Sequence, residues 1–146
     1  ALQPLHGLAE LHVSDLEGAA WPLPGRRFDA VVVTNYLWRP LWPQLRAALA
    51  EGGVLIYETF ADGNQSLGKP SRPDFLLHHG ELLEAAHGLR VVAYEDGFLA
   101  EPERYLQRLA AVREAIINAI VHADYAQSGA PIKLGTLTPL TGRRAI

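Results

Sequence analysis

The chain has 146 residues, of which 49% are hydrophobic and 20% charged, which is ordinary for one globular domain. No apolar run reaches the roughly 18 residues of a membrane-spanning helix, so we expect no membrane contact. The net charge of −3 gives no electrostatic case for nucleic-acid binding, which usually uses a basic face. Cysteine is absent, which excludes disulfides, thiolate metal sites and a cysteine nucleophile and is consistent with a cytoplasmic protein.

Methionine is also absent, and the first residue is Ala1. We therefore expect this sequence to be a segment processed or cut from a longer protein.

The first half of the chain predicts a strand–helix–strand unit. The residues "LHVS", 11–14, alternate as a short strand would. Residues 28–34 form a β-branched run typical of a parallel strand covered on both faces. A helix is predicted over 38–50, with its two prolines in the first turn, and a second buried strand over 54–60. The spacing of this unit is that of a parallel crossover.

The second half begins with a long polar loop, residues 61–74, of a length that is often functional. A helix is predicted over 80–87 and a third strand over 89–98. The segment "EPERYLQRLAAVR", 101–113, is either a last antiparallel strand or the start of a helix. Beyond it the pattern predicts a helix followed by an irregular, weakly ordered tail.

Polar and aromatic residues follow three of these strands. Ligands of open α/β sheets bind beyond the carboxyl ends of the strands. The candidates are Asp15, Leu16 and Glu17, then Asn35 and Tyr36, then Glu58, Thr59 and Phe60. A carboxylate there can accept a hydrogen bond from an exocyclic amine, and aromatic rings can pack against a base or attract a sulfonium. Each residue also has a simpler role open to it: Asp15 as a turn cap, Tyr36 in the core, Glu58 as a structural hydrogen-bond acceptor.

The motifs "SDLEGAAWPLPGRRFDAVVVTNYLWRPL", "LAEGGVLIYETFADGN", "GKPSRPDFLL" and "GELLEAAHGLRVVAYEDG" occur in one order and spacing. In these, residues 8–113 resemble the C-terminal half of a class I S-adenosylmethionine-dependent methyltransferase of the bacterial tellurite-resistance-like type. The resemblance implies an α/β fold, a partial Rossmann-like sheet whose first two strands are missing. It also implies an antiparallel last strand that ends near Arg113.

The resemblance assigns roles to the candidates. Asp15 would bind the adenine amine of S-adenosylmethionine, and Leu16 would offer its backbone to the adenine ring. Asn35 and Tyr36 would line the methionine end of the cofactor. Glu58, Thr59, Phe60 and the loop 61–74 would face a small-molecule acceptor, whose chemical class the sequence does not indicate. No catalytic residue is implied, because positioning and exclusion of water do most of the work in methyl transfer.

Two parts of the family's cofactor site have no counterpart in the sequence. These are the glycine-rich loop after the first strand and the acidic residue that holds the ribose; no GxGxG occurs in the chain. We therefore expect half a cofactor site that does not turn over alone. The edge of strand 28–34 would also be bare, which favours self-association.

The segment "REAIINAIVHADYAQSGAPIKL", 113–134, resembles the first helix of the gyrase and histidine-kinase type of ATP-binding domain. By that resemblance Glu114 would polarise the attacking water and Asn118 would hold magnesium. The sequence thus predicts two domains of different ancestry, residues 1–112 and 113–146.

Three functions remain open from the sequence: methyl transfer, ATP binding, or a non-catalytic interaction fragment. The histidines lack metal-ligand spacing, so no metal site is predicted.

Overall fold

The computed structural model describes residues 9–114, which lie within one compact unit, Ala1–Ala115. The strands are β1 (Phe28–Thr34), β2 (Leu49–Phe60), β3 (Arg90–Ala100) and β4 (Glu103–Val112), and the helices are α1 (Trp42–Ala47) and α2 (Glu81–Ala85). Short 3₁₀ turns occupy Arg39–Leu41, Asn64–Ser66 and Pro73–Phe75. The predicted α/β class is confirmed. The predicted helix and tail after Arg113, and with them most of the second predicted domain, lie outside the described residues.

The four strands form one mixed sheet in the order β1-β2-β4-β3. β1 and β2 are parallel, and β4 runs antiparallel to both of its neighbours, β2 and β3. The segment 101–113 therefore contains a strand, Glu103–Val112, rather than a helix. This arrangement is the one that the resemblance to the C-terminal half of a methyltransferase predicts, with an antiparallel last strand that ends one residue before Arg113.

The strand predicted over residues 11–14 is wrong. This segment is irregular and pairs with no strand of the described part of the chain. Its apolar residues face solvent, with Leu11 74% and Val13 94% exposed. An alternating sequence makes a strand only where a neighbour accepts its hydrogen bonds, and the described sheet offers this segment none.

The helix predicted over 38–50 is much shorter, because β2 begins at Leu49. Leu49 is fully buried and pairs with Phe28 across the sheet. The guanidinium of Arg113 donates to the backbone oxygens of Arg46 and Leu49, both at 3.1 Å, and so ties the end of α1 to the sheet. The helix predicted over 80–87 is also shorter, at Glu81–Ala85.

One face of the sheet carries the core. Its buried side chains from β2 and β4 pack with those of α1 and α2; they are Leu45, Leu55, Tyr57, Leu82, Leu109 and Ala111. On the opposite face Val32 is 61% and Ile56 is 44% exposed. The prediction that β1 is covered on both faces is therefore wrong for the described residues. No helix among these residues is long and apolar enough to cross a membrane.

Candidate functional site

A cavity of about 230 Å³ opens at the carboxyl ends of β1 and β2. It is lined by Glu17, Asn35, Tyr36, Leu37, Thr59, Phe60, Pro70 and Phe75. Five of the residues predicted from the sequence thus meet at one place: Glu17, Asn35, Tyr36, Thr59 and Phe60. Their assembly follows from the parallel pairing of β1 and β2, which brings the ends of both strands to the same edge of the sheet.

The turn after β1 is held by backbone bonds. Asn35 has φ 53°, a left-handed conformation that asparagine tolerates better than most residues. Its N–H donates to the carbonyl of Glu58 at 2.9 Å. The hydroxyl of Tyr57 donates to the carbonyl of Tyr36 at 2.8 Å, and burial raises the pKa of Tyr57 to about 12, so the hydroxyl stays protonated. The backbone at Asn35–Tyr36 is therefore fixed by β2.

Tyr36 lines the cavity and carries a buried hydroxyl group. Its hydroxyl oxygen is buried and has no partner with full hydrogen-bond geometry in residues 9–114, and the carboxylate of Glu17 is the polar group that acts on it most strongly. Burial, and after it the negative charges of Glu17 and Asp15, raise the pKa of Tyr36. The raised pKa keeps the hydroxyl neutral at physiological pH, beside the carboxylates of Glu17 and Asp15.

Asp15 caps a turn with one of its two oxygens. Oδ1 accepts from the backbone N–H of Glu17 at 2.9 Å and from that of Gly18 at 3.2 Å. This is the simpler role considered from the sequence, and Oδ2 takes no part in it. Leu16 packs against the core. The predicted contacts of Asp15 and Leu16 with adenine stay predictions.

The structure separates Glu58 from its neighbours Thr59 and Phe60. Its carboxylate accepts from Arg108 Nε at 2.5 Å and lies 3.5 Å from Arg104, on the open face of the sheet. Arg108 also bonds Glu95 on β3 at 3.1 Å. Strand alternation points Thr59 to the face opposite Glu58, whereas Phe60 lines the cavity as the last residue of β2. Thr59 and Phe60 therefore line the cavity where an acceptor is expected. The carboxylate of Glu58, which was expected to face the acceptor, lies on the open face of the sheet instead.

The loop after β2 is anchored by a residue that the sequence did not single out. Asn64 is 2% exposed; its side-chain NH₂ donates to the carbonyl of Pro70 at 3.1 Å, and its oxygen accepts from the N–H of Tyr105 at 3.3 Å. Gly63 lies against the ring of Tyr105, where an added Cβ would be 2.8 Å from the ring. The polar loop is thus attached to β4. The contacts that attach it join residues about 40 apart in the chain, so the local sequence does not indicate them.

A partly buried ion pair joins the segment before α1 to α2. Arg39 contacts both oxygens of Glu81, at 2.5 and 2.9 Å, and also donates to the carbonyls of Asp74 and Leu76. Glu81, 8% exposed, accepts in addition from the N–H of His78 at 2.8 Å. Sequence patterns offer no signal for this pair, since its members are 42 residues apart. It fixes the far end of the loop that borders the site.

A second, wider cavity of about 480 Å³ adjoins the first. It is lined by Phe60, Lys69, Pro70, Ser71, Arg72 and Phe75, three of which also line the smaller cavity. The guanidinium of Arg72 lies 5.2 Å from the centre of the Phe75 ring and bonds Asp74 at 2.8 Å. The loop predicted to face an acceptor therefore forms an apolar cavity with basic groups at its rim.

The alternative ATP site is represented by one residue only. Glu114 is exposed and forms an ion pair with Arg90, whereas Asn118 lies outside the described residues. Within residues 9–114, no group of three or more histidine, aspartate or glutamate side chains is placed to hold a metal ion.

Neither protein-family models nor curated proteins give a match to the sequence. Among solved structures, the chain is similar to TehB from Haemophilus influenzae, with 16% identity and a TM-score of 0.47, over 61% of this chain and 36% of TehB. It is also similar to a protein studied for the conversion of a disulfide bond into a thioacetal group during echinomycin biosynthesis, with 12% identity and a TM-score of 0.47. That match covers 69% of this chain and 55% of the other. The chain thus spans between about a third and just over half of these proteins.

Proposed function

We propose that this chain forms the methionine end and the acceptor side of an S-adenosylmethionine-dependent methyltransferase site that acts on a small molecule. The observation that carries the proposal is the cavity at the carboxyl ends of β1 and β2, where Glu17, Tyr36 and Phe60 meet. Its position is where open α/β sheets bind ligands, and the motifs that line it are those of the methyltransferase resemblance.

The residues present suit the charged end of the cofactor. A sulfonium is stabilised by nearby negative charge and by aromatic faces, and Glu17, Tyr36 and Phe60 supply these. The hydroxyl of Tyr36, which has no partner with full hydrogen-bond geometry in residues 9–114, is a hydrogen-bond donor that a bound ligand would satisfy. The volume of about 230 Å³ is below the range of whole-cofactor pockets, so this cavity suits one end of the molecule. The glycine-rich loop and the ribose-binding acid have no counterpart in the sequence, so the chain supplies part of the site.

When bound, S-adenosylmethionine supplies an activated methyl group for in-line displacement. This chain would bind the cofactor and orient it toward the acceptor. The carboxylate of Glu17 offsets the positive charge, and the protonated hydroxyl of Tyr36 fixes the ligand through a hydrogen bond. The rings of Phe60 and Phe75 form walls that limit water near the reacting atoms. No side chain needs to act as a nucleophile.

Calorimetric titration of the 146-residue chain with S-adenosylmethionine and, separately, with S-adenosylhomocysteine tests the proposal. The two ligands differ in the charge at sulfur, so we expect the charged ligand to bind more tightly to the wild type. Glu17→Gln is expected to remove that preference. Tyr36→Phe is expected to weaken both ligands by roughly threefold to tenfold, the loss of one hydrogen bond.

Glu51→Gln is the matched control, because Glu51 is exposed at the start of β2, at the opposite end of the strand. A parallel titration with ATP and magnesium tests the alternative function. Saturable binding of ATP, with no binding of either sulfur ligand, would favour the ATP-binding function instead. Binding of the sulfur ligands that is unchanged in both site variants would contradict the proposed site.

A further inference from the structure

We infer that the cavity beside the loop 61–74 binds a flat aromatic methyl acceptor that carries a negative charge. The inference rests on the proposed function for the methyl donor, whereas binding of the acceptor can be tested without it. The cavity joins two phenyl rings and a proline to two basic side chains and one hydroxyl. That combination recognises a planar ring at one end and an anion at the other.

The apolar part of the cavity is formed by two phenyl rings and a proline. Phe60 comes from the end of β2, and Phe75 and Pro70 come from the loop, so the walls belong to separate segments. Phe75 is 40% exposed although it is large and apolar. An exposed ring in a concave site lined by other apolar groups is the usual setting for binding an aromatic ligand.

The charged part of the cavity favours an anion. Lys69 and Arg72 line it and no acidic residue does. Asp74 pairs with Arg72, but both side chains are largely exposed, 71% and 70%, so the pair is weak and a ligand can compete for the guanidinium. The guanidinium lies near the Phe75 ring, which orients its planar fork. A carboxylate in the ligand would therefore find an oriented, two-pronged donor.

The loop is held in place before any ligand arrives. Asn64 ties Pro70 to β4, and Arg39 holds the backbone at Asp74 and Leu76. The wall residues between these points are thus confined at both ends. The shared lining residues Phe60, Pro70 and Phe75 also place a ligand here next to the smaller cavity, where the methyl donor is proposed.

The test uses three probes on the full chain: 4-hydroxybenzoate, 4-hydroxybenzamide and cyclohexanecarboxylate. The second probe lacks the charge and the third lacks the aromatic ring. Ligand-observed NMR titration, without any cofactor, is expected to give tightest binding for 4-hydroxybenzoate. Arg72→Gln is expected to weaken that probe about tenfold and leave the benzamide unchanged. Phe75→Leu is expected to weaken both aromatic probes.

Arg90→Gln is the matched control, since Arg90 is an exposed arginine at the opposite end of the sheet. Thermal unfolding confirms that each variant is folded. Equal binding of the benzoate and the benzamide, no binding of any probe at millimolar concentration, or no effect of Arg72→Gln would overturn the inference. Probe binding with no binding of S-adenosylmethionine would keep the aromatic-anion cavity and remove the methyltransferase proposal. The reverse pattern would remove this inference alone.

Discussion

The carboxylate of Glu81 shows how a single residue ties the stability of the site to pH. Burial alone raises its pKa, but the hydrogen bonds from Arg39 and from the N–H of His78 outweigh burial and hold the pKa below its usual value. A carboxyl group with a lowered pKa in the folded state stabilises the fold above its unfolded pKa of about 4.5, and that contribution is lost as the pH falls below it.

Glu81→Gln is therefore expected to lower the free energy of unfolding by about 2 kcal/mol at pH 7, because Arg39 loses its charged partner while still partly buried. At pH 4 and below the difference in free energy of unfolding between wild type and variant should narrow, because the unfolded wild type then takes up a proton at Glu81 more readily than the folded pair does. Urea unfolding at pH 7, 5 and 4 measures this. Glu84→Gln on the exposed side of α2 is the control. A gap of constant size at all three pH values would contradict the expectation.

Gly63 is a second residue whose identity is required by its surroundings. Its φ of 104° lies in the region that favours glycine, and an added Cβ would be 2.8 Å from the Tyr105 ring. Gly63→Ala is expected to cost about 1–3 kcal/mol and to loosen the loop.

Gly25→Ala separates the cost of backbone strain from the cost of the clash with Tyr105. Gly25 has φ 72° but nothing within 4 Å of an added Cβ, so it carries backbone strain without the clash. Thermal unfolding of both variants measures the difference. Equal losses would mean that the contact with Tyr105 contributes nothing.

At the scale of elements, the strands follow from sequence patterns better than the helices do. β1 and β3 lie close to where their sequence patterns predict, because β-branched residues favour the extended backbone of a strand. α1 ends early because Arg113 binds the carbonyls of Arg46 and Leu49, and Leu49 is needed by the sheet. No local pattern contains a partner that lies 64 residues away.

The same limit applies to the candidate site. Asn35, Tyr36, Thr59 and Phe60 could be placed together from the rule that parallel strands end at one edge. Glu58 was grouped with them by position alone, although strand alternation points its side chain to the face opposite Thr59. Asn64 and Arg39, which hold the loop, gave no signal because their partners are distant in the chain.

The junction of α2 and β4 supports a prediction of its own. Gln107 is fully buried; its oxygen accepts from the N–H of Leu82 at 3.0 Å, and its NH₂ donates to the carbonyl of His78 at 2.5 Å. Gln107→Leu keeps the volume but leaves the N–H of Leu82 unpaired; the carbonyl of His78 loses one donor and keeps the N–H of Glu81 at 3.0 Å. We therefore expect a loss of about 1–3 kcal/mol. Chemical unfolding measures it, with the exposed Glu103→Gln on the same strand as control. A loss equal to the control would show that these bonds contribute no net stability.

On the scale of the whole molecule, the sheet is asymmetric. One face is packed, and the other carries exposed valine and isoleucine around the charged cluster of Glu58, Arg108 and Glu95. β1 lies at the edge of the described sheet and has β2 as its one neighbour there. Unpaired backbone N–H and C=O groups along such an edge can accept another strand, and an apolar face beside it adds contact area.

We therefore expect the chain to self-associate through β1, with an apparent mass that rises with concentration in light scattering and sedimentation. Val32→Lys places a charge on the exposed face of this edge strand, where Val32 is 61% exposed, and should shift the chain toward monomer without lowering its unfolding temperature. Val13→Lys is the control, because Val13 is 94% exposed but lies outside the sheet. A monomer at every concentration would contradict an edge-paired assembly. An equal effect of both lysines would assign the association to general hydrophobicity instead of β1.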